Sequence, residues 1–138
     1  KWNQKDIQMT IYKALEKLLE TLIPEAAGRV YHIMGTYEEA IAHIEKKRPF
    51  VTYQFEKLDT IVTMNDVTGM YDTRIEIDVF APDVEDMARI SKEIKLKLTG
   101  KHEQDEVEYI LVPTGSMDAA EMEGVRRHVM YWKGNIIE

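Results

Sequence analysis

The run from Tyr71 to Gly100, YDTRIEIDVFAPDVEDMARISKEIKLKLTG, leaves the chain little freedom in how it folds. Tyr71, Thr73, Ile75, Ile77, Val79 and Ala81 alternate with Asp72, Arg74, Glu76 and Asp78, which predicts a strand with one buried and one wet face. Pro82 breaks the ladder. Asp83 then stands where a helix N-cap belongs, with Glu85 and Asp86 in the first turn facing the helix dipole. Lys92, Lys95 and Lys97 bring positive charge toward the other end, and Gly100 is placed to close the helix at C′. Val84, Met87, Ala88, Ile94 and Leu98 form the predicted core stripe, with Ile90 at its margin and Leu96 pointing away. A strand that turns directly into an amphipathic helix calls for a sheet with helices packed on it.

A first helix is predicted over Lys5–Leu22, with Ile7, Ile11, Ala14, Leu15, Leu18 and Leu22 as its stripe. Tyr12, Leu19 and Ile23 lie beside that stripe and widen it beyond what one sheet face covers. Two readings fit: a deeply buried helix, or a second contact surface for a neighbouring subunit. Pro24 stops the helix and Glu25–Gly28 make the turn. Arg29–Met34 reads as a short strand by its Val, Tyr and Ile content. Thr36-Tyr37-Glu38-Glu39 has the capping-box form and opens a short helix reaching Lys46. Extended runs over Phe50–Phe55 and Leu58–Met64 follow. The second pairs with Tyr71–Ala81 across the turn Asn65–Gly69. After Gly100 come a charged loop (Lys101–Glu106), a strand over Val107–Val112, a mobile loop over Pro113–Glu123 and a last strand over Val125–Lys133. The expected class is α+β, one domain over residues 1–138: a mostly antiparallel sheet with two main helices on one face, plus a short extra helix.

Twenty-five acidic against 18 basic residues give a net charge of −7, which argues against a protein that grips nucleic acid over a wide surface. The basic runs Lys46-Lys47-Arg48 and Arg126-Arg127-His128 are short. An acidic chain can still sit beside DNA without holding it, because like charge leaves the polymer free to slide. The absence of cysteine excludes disulfides, thiolate catalysis and cysteine-based zinc sites. No apolar run reaches the roughly 20 residues that span a bilayer, and no signal-peptide pattern is present, so no membrane partner is expected.

The search for chemistry finds little. His32, His43, His102 and His128 fall in different elements without metal-ligand spacing. Glu76 and Asp78 share the wet face of one strand, an arrangement that nucleases use to hold Mg²⁺. Arg74 on that face neutralises them equally well, and the position where a nuclease wants a lysine is Phe80. Ser91 is in a helix and Ser116 in the loop, with no nucleophile elbow. The glycines read as turn and cap residues, with no phosphate-binding pattern. Tyr131 and Trp132 beside Arg126 and Arg127 suggest base stacking, but acidity favours a core or interface tryptophan. No catalytic residue, metal site or cofactor is therefore expected. The surplus apolar residues Tyr12, Leu19, Ile23, Leu96 and Trp132 are the candidates for an oligomer interface.

Several pieces share one pattern: the amphipathic first helix, the turn into Gly28-Arg29-Val30-Tyr31, and Pro49-Phe50-Val51-Thr52-Tyr53. To these are added the long strand TRIEIDVFA at Thr73–Ala81, its helix with Met87, Ala88 and Ile94 ending at Leu98 and Gly100, and a strand opening Gly124-Val125-Arg126-Arg127. Together they resemble the tail-terminator, or tail-completion, proteins of long-tailed bacteriophages, in the small form that recurs in phage and prophage tail gene clusters. The strand-to-helix junction is the most characteristic part. Two parts depart from the family pattern: the charged helix at Tyr37–Lys47 is longer than expected between the Tyr31 and Pro49 segments, and the acidic loop at Pro113–Glu123 carries no family signature. The resemblance implies a non-enzymatic subunit of a hexameric ring on the head-proximal end of the tail tube. Such a ring ends tube polymerisation and docks to the head connector or head-closure protein. Its partners would be copies of itself, the tail tube protein, the head connector, and DNA passing through without sequence-specific binding. Its place would be the virion neck, assembled in the host cytoplasm. The alternatives are another neck component (a head-closure or tail-tube protein) or a small Mg²⁺-dependent nuclease using Glu76 and Asp78.

Overall fold

The computed structural model describes residues 4–33, 42–43, 46, 48–62, 67–122 and 125–138, and within them the side chains of all but 4–8, 62, 67–68 and 120–122. The chain runs α1 (Gln4–Leu22), a 3₁₀ turn (Pro24–Ala26), β1 (Val30–His32), β2 (Phe50–Val62), β3 (Val67–Ala81), α2 (Val84–Leu98), β4 (Gly100–Gln104), β5 (Val107–Met122) and β6 (Val125–Ile137). The strands form one sheet in the order β1-β2-β3-β6-β5-β4. Every pairing is antiparallel except that of β1 with β2, so the sheet is mixed. The connection over residues 33–49 exceeds the dozen or so residues that a parallel crossover needs. The expected helix at Tyr37–Lys47 lies almost wholly outside the described residues.

The alternation in β3 places Tyr71, Thr73, Ile75, Ile77, Val79 and Ala81 in the interior. Both helices cover that face. Ile11, Ala14, Leu15, Leu18 and Leu19 of α1 and Ile90, Ile94 and Leu98 of α2 join it in one hydrophobic core. Tyrosines from the sheet tie α1 down. The Tyr53 hydroxyl donates to the Tyr12 carbonyl at 3.2 Å, and the Tyr109 hydroxyl to the Ile11 carbonyl at 2.5 Å. Lys97 Nζ donates to the Leu22 carbonyl at 3.0 Å, satisfying an acceptor that the end of α1 leaves open.

The Asp83 cap forms as expected, its carboxylate accepting from the Asp86 N–H at 2.7 Å. Gly100 follows the C-cap with φ +109°, the left-handed region that favours glycine. The core stripe of α2 differs from the expected one. Met87, Ile90, Ser91, Ile94 and Leu98 are buried, whereas Val84 is 46% exposed and Ala88 is also exposed. The stripe therefore centres on Ile90 and Ile94, about one residue around the helix from its predicted axis.

The strands are longer than their apolar patterns. Phe50–Phe55 and Leu58–Met64 are expected as two runs, yet β2 is continuous through Val62. Register shifts at Phe55/Lys57 and Thr60/Val62 interrupt the alternation without ending the ladder. The expected charged loop Lys101–Glu106 is instead β4 and a two-residue hairpin, with Asp105 and Glu106 both at positive φ. Lys17 Nζ holds Asp105 Oδ2 at 3.0 Å. The expected mobile loop from Pro113 belongs to β5 through Met122, laddered onto β6 across its length. β6 itself continues to Ile137 rather than stopping at Lys133. Gly134 is a mid-strand residue, not the turn or cap residue that the pattern of glycines suggests.

Candidate functional site

The face of the sheet turned away from the helices is the natural place to look for function. Cross-strand register sets Thr52, Asp78 and Val129 in one row, then Gln54, Glu76 and Tyr131, then Lys57, Arg74 and Lys133. The wet face predicted for β3 holds at Arg74 but fails at Asp78, which is only 1% exposed. Arg127 is the reason a carboxylate tolerates that position. Its Nε and Nη2 donate to Asp78 Oδ2 at 3.0 and 2.6 Å, and Nη2 lies 3.7 Å from Glu76 Oε2. The guanidinium also sits 5.5 Å from the Phe80 ring centre, and Phe80 stacks on Phe50 at 4.6 Å. Phe80 thus packs against the Arg127 that holds the carboxylates.

Burial, then the hydrogen bond with Glu76, pushes the Asp78 carboxyl up to about 7 against the lowering pull of Arg127. Asp78 Oδ1 and Thr52 Oγ1 find no hydrogen-bond partner among the described residues. A divalent cation here would have to displace Arg127 from a buried oxygen, so the pair is not the open, exposed carboxylate site that a nuclease requires. The raised value has a consequence for stability. The folded state keeps a proton that the unfolded chain releases near 3.8, so this group's contribution to stability falls as pH rises from about 4 to about 7 and is flat above. Asp78→Asn keeps an acceptor for Arg127 and removes the titration. Thermal unfolding followed against pH should therefore be flatter between about pH 4 and 7 in this variant than in the parent. A variant whose pH dependence in that window matches the parent's contradicts this account.

The histidines serve local packing. His43 lies against Tyr31 and Phe50, bonded to the Tyr31 hydroxyl and, through Nδ1, to Arg48 Nη2 at 2.9 Å. His102 Nε2 meets the Leu98 carbonyl at 2.9 Å, at the end of α2. His128 Nδ1 bonds Asp118 Oδ1 at 2.6 Å, and its Nε2 lies 3.2 Å from Lys95 Nζ. Burial lowers the pKa of His32, which stacks on Tyr12 at 5.1 Å. Among the described residues no three His, Asp or Glu side chains converge as metal ligands.

The interface candidates separate clearly. Leu19, Ile23 and Trp132 are each 1% exposed, packed in the subunit's own core. Tyr12 is half-buried, stacked on Phe55 at 4.6 Å. Leu96 is 71% exposed. Trp132 points to the helix face and Tyr131 to the outer face, so together they make no platform for stacked bases. Pattern reading misses Ile110, Val112 and Met117, which are exposed along β5. Once β5 is known to be a strand, the register places all three on the outer face, beside Asn135, Lys133 and Val129. The outer face also carries an open cleft of about 780 Å³ lined by Glu56, Lys57, Arg74, Thr114, Tyr131 and Lys133. Its cations could seat an anionic group, but nothing in it pairs a nucleophile with a base.

No described helix is long and apolar enough to cross a membrane. No protein-family model matches the sequence, and a search of curated proteins returns no relative. Among solved structures, the chain is similar to one in the virion of a native gene transfer agent particle. The two superpose with a TM-score of 0.56 at 13% identity, over 91% of this chain and 90% of the other. At that identity, what the two chains share is a fold.

Proposed function

We propose that the chain is a structural virion subunit of the tail-terminator kind. In this reading it forms a hexameric ring at the head-proximal end of a phage-like tail tube. It ends tube growth, meets the tail tube protein on one side and the head connector on the other, and lets DNA pass without sequence-specific contact. The observation that carries the reading is the fold shared with a virion chain over nearly the whole of both chains. Three features support it: the β3–α2 junction that underlies the family resemblance, the net charge of −7, and the closure of the Glu76–Asp78 pair by Arg127. Light scattering and negative-stain microscopy of the concentrated protein should give a hexamer mass and ring-shaped particles with a central hole. A chain that stays monomeric at high concentration and also fails to cap purified tail tubes does not have this role. Cleavage of DNA with Mg²⁺ that Asp78→Ala abolishes would establish the nuclease reading instead.

A further inference from the structure

The sheet ends in two steps. β4 covers β5 only over Val107–Leu111, so the outer edge of β5 from Val112 to Ala119 has no partner strand among the described residues. At the opposite end, β1 covers β2 only over Val51–Tyr53, and no described strand lies along the outer side of Gln54–Thr60. From the outer edge of β2 inward to β5, each strand runs antiparallel to the last, so β2 and β5 point in opposite directions. A copy's β2 laid beside β5 therefore continues the antiparallel ladder.

We infer that the outer edge of β5, Val112–Ala119, accepts the Gln54–Thr60 edge of β2 from a second copy, joining subunits head to tail through one continued sheet. This deepens the ring reading and rests on it. The two edges are unlike and sit at opposite ends of the sheet, so each copy keeps one of each kind free. That is a heterologous contact, which closes into a ring when the rotation between copies allows.

Three features suit the β5 edge to the task. Side chains tether it: Lys95 Nζ on α2 bonds Ser116 Oγ at 2.8 Å, and His128 Nδ1 bonds Asp118 Oδ1. An exposed apolar group flanks it, Met117, 55% exposed on the outer face. An added strand sends alternate side chains to the two faces of the sheet, so every second one would fall on the Met117 side. Finally, the edge is guarded against indiscriminate pairing. Pro113 offers no N–H and a register shift separates it from Gly115, which leaves Ser116–Ala119 as the regular ladder.

The chain has no cysteine, so introduced ones report cleanly. Thr114 and Asp59 are exposed on the two edges, and antiparallel pairing brings the end of Gln54–Thr60 that holds Asp59 opposite the end of Val112–Ala119 that holds Thr114. With a short bismaleimide, the full chain carrying both Thr114→Cys and Asp59→Cys should cross-link into a ladder ending at a closed oligomer. Thr114→Cys alone and Asp59→Cys alone should give no covalent dimer. A strong dimer from Thr114→Cys alone means that β5 pairs with its own copy across a two-fold axis and overturns the proposal. Rings seen by microscopy without a double-cysteine ladder overturn the edge assignment and leave the ring reading standing. A monomer without cross-links under all conditions removes both. Independently, Met117→Glu should weaken self-association at least tenfold while the subunit keeps its fold by circular dichroism. An unaltered oligomer in that variant also counts against the edge.

Discussion

Gly134→Ala is expected to destabilise the protein by about 3 kcal/mol or more, lowering the melting temperature by roughly 10 °C or preventing folding. Gly134 is inside β6, with Thr73 of β3 on one side and Leu111 of β5 on the other. A Cβ added there would fall 1.8 Å from the Ile110 carbonyl oxygen, 2.9 Å from its carbon and 3.1 Å from the Leu111 Cα. All three are backbone atoms, so no rotamer change relieves the overlap. β5 must instead move away from β6 and give up ladder hydrogen bonds. Gly115→Ala on β5 is the matched control, because a Cβ there meets nothing within 4 Å. It should be neutral, or stabilising by about 0.4–1 kcal/mol through the unfolded chain. Urea midpoints for the two variants separate the cases. Equal losses would mean that strand glycines in general, and not the close approach at Gly134, set the cost.

The parts of the fold that the sequence discloses are those where one side chain or one period decides the outcome. The β3 alternation, the Asp83 cap and the Gly100 closure each follow from local chemistry, and each is present. β5 was illegible for the opposite reason. From Val112 to Asp118 every residue is exposed, so no apolar period exists to read, and Pro113 and Gly115 look like loop residues. The strand exists because β6 supplies a ladder, which is a tertiary fact. The hairpin at Asp105-Glu106 likewise lacks the Asn-Gly or Asp-Gly signal for its positive φ values, and an ion pair from the distant Lys17 holds Asp105. At the candidate site, the spacing of Glu76 and Asp78 shows that the two share a face. It cannot show that Arg127, 49 residues on from Asp78, closes over them. Leu19 and Ile23 of α1 are buried in the core, on a helix that Tyr53 and Tyr109 hydrogen-bond from the sheet, contacts too distant in sequence for the pattern of α1 to display.

Trp132→Ala should cost about 3–5 kcal/mol, the range for removing a large aromatic side chain from a packed core. Trp132 is 1% exposed and sits on the helix face of β6, level with Ile75 of β3 and Pro113 of β5. Its loss removes apolar contact from both neighbouring strands at once. The indole Nε1, however, has no hydrogen-bond partner among the described residues. A buried donor left unpaired carries a desolvation penalty of about 1–3 kcal/mol. Trp132→Phe removes that penalty along with some volume, so the two effects offset and the net loss should stay under about 1.5 kcal/mol. The pair of variants also decides what the residue is for. A core tryptophan predicts that Trp132→Phe keeps both the fold and the oligomer mass. An interface tryptophan predicts a stable Trp132→Phe subunit with weakened assembly, because a contact across subunits would miss the larger ring. Burial inside the subunit makes the first outcome the expected one.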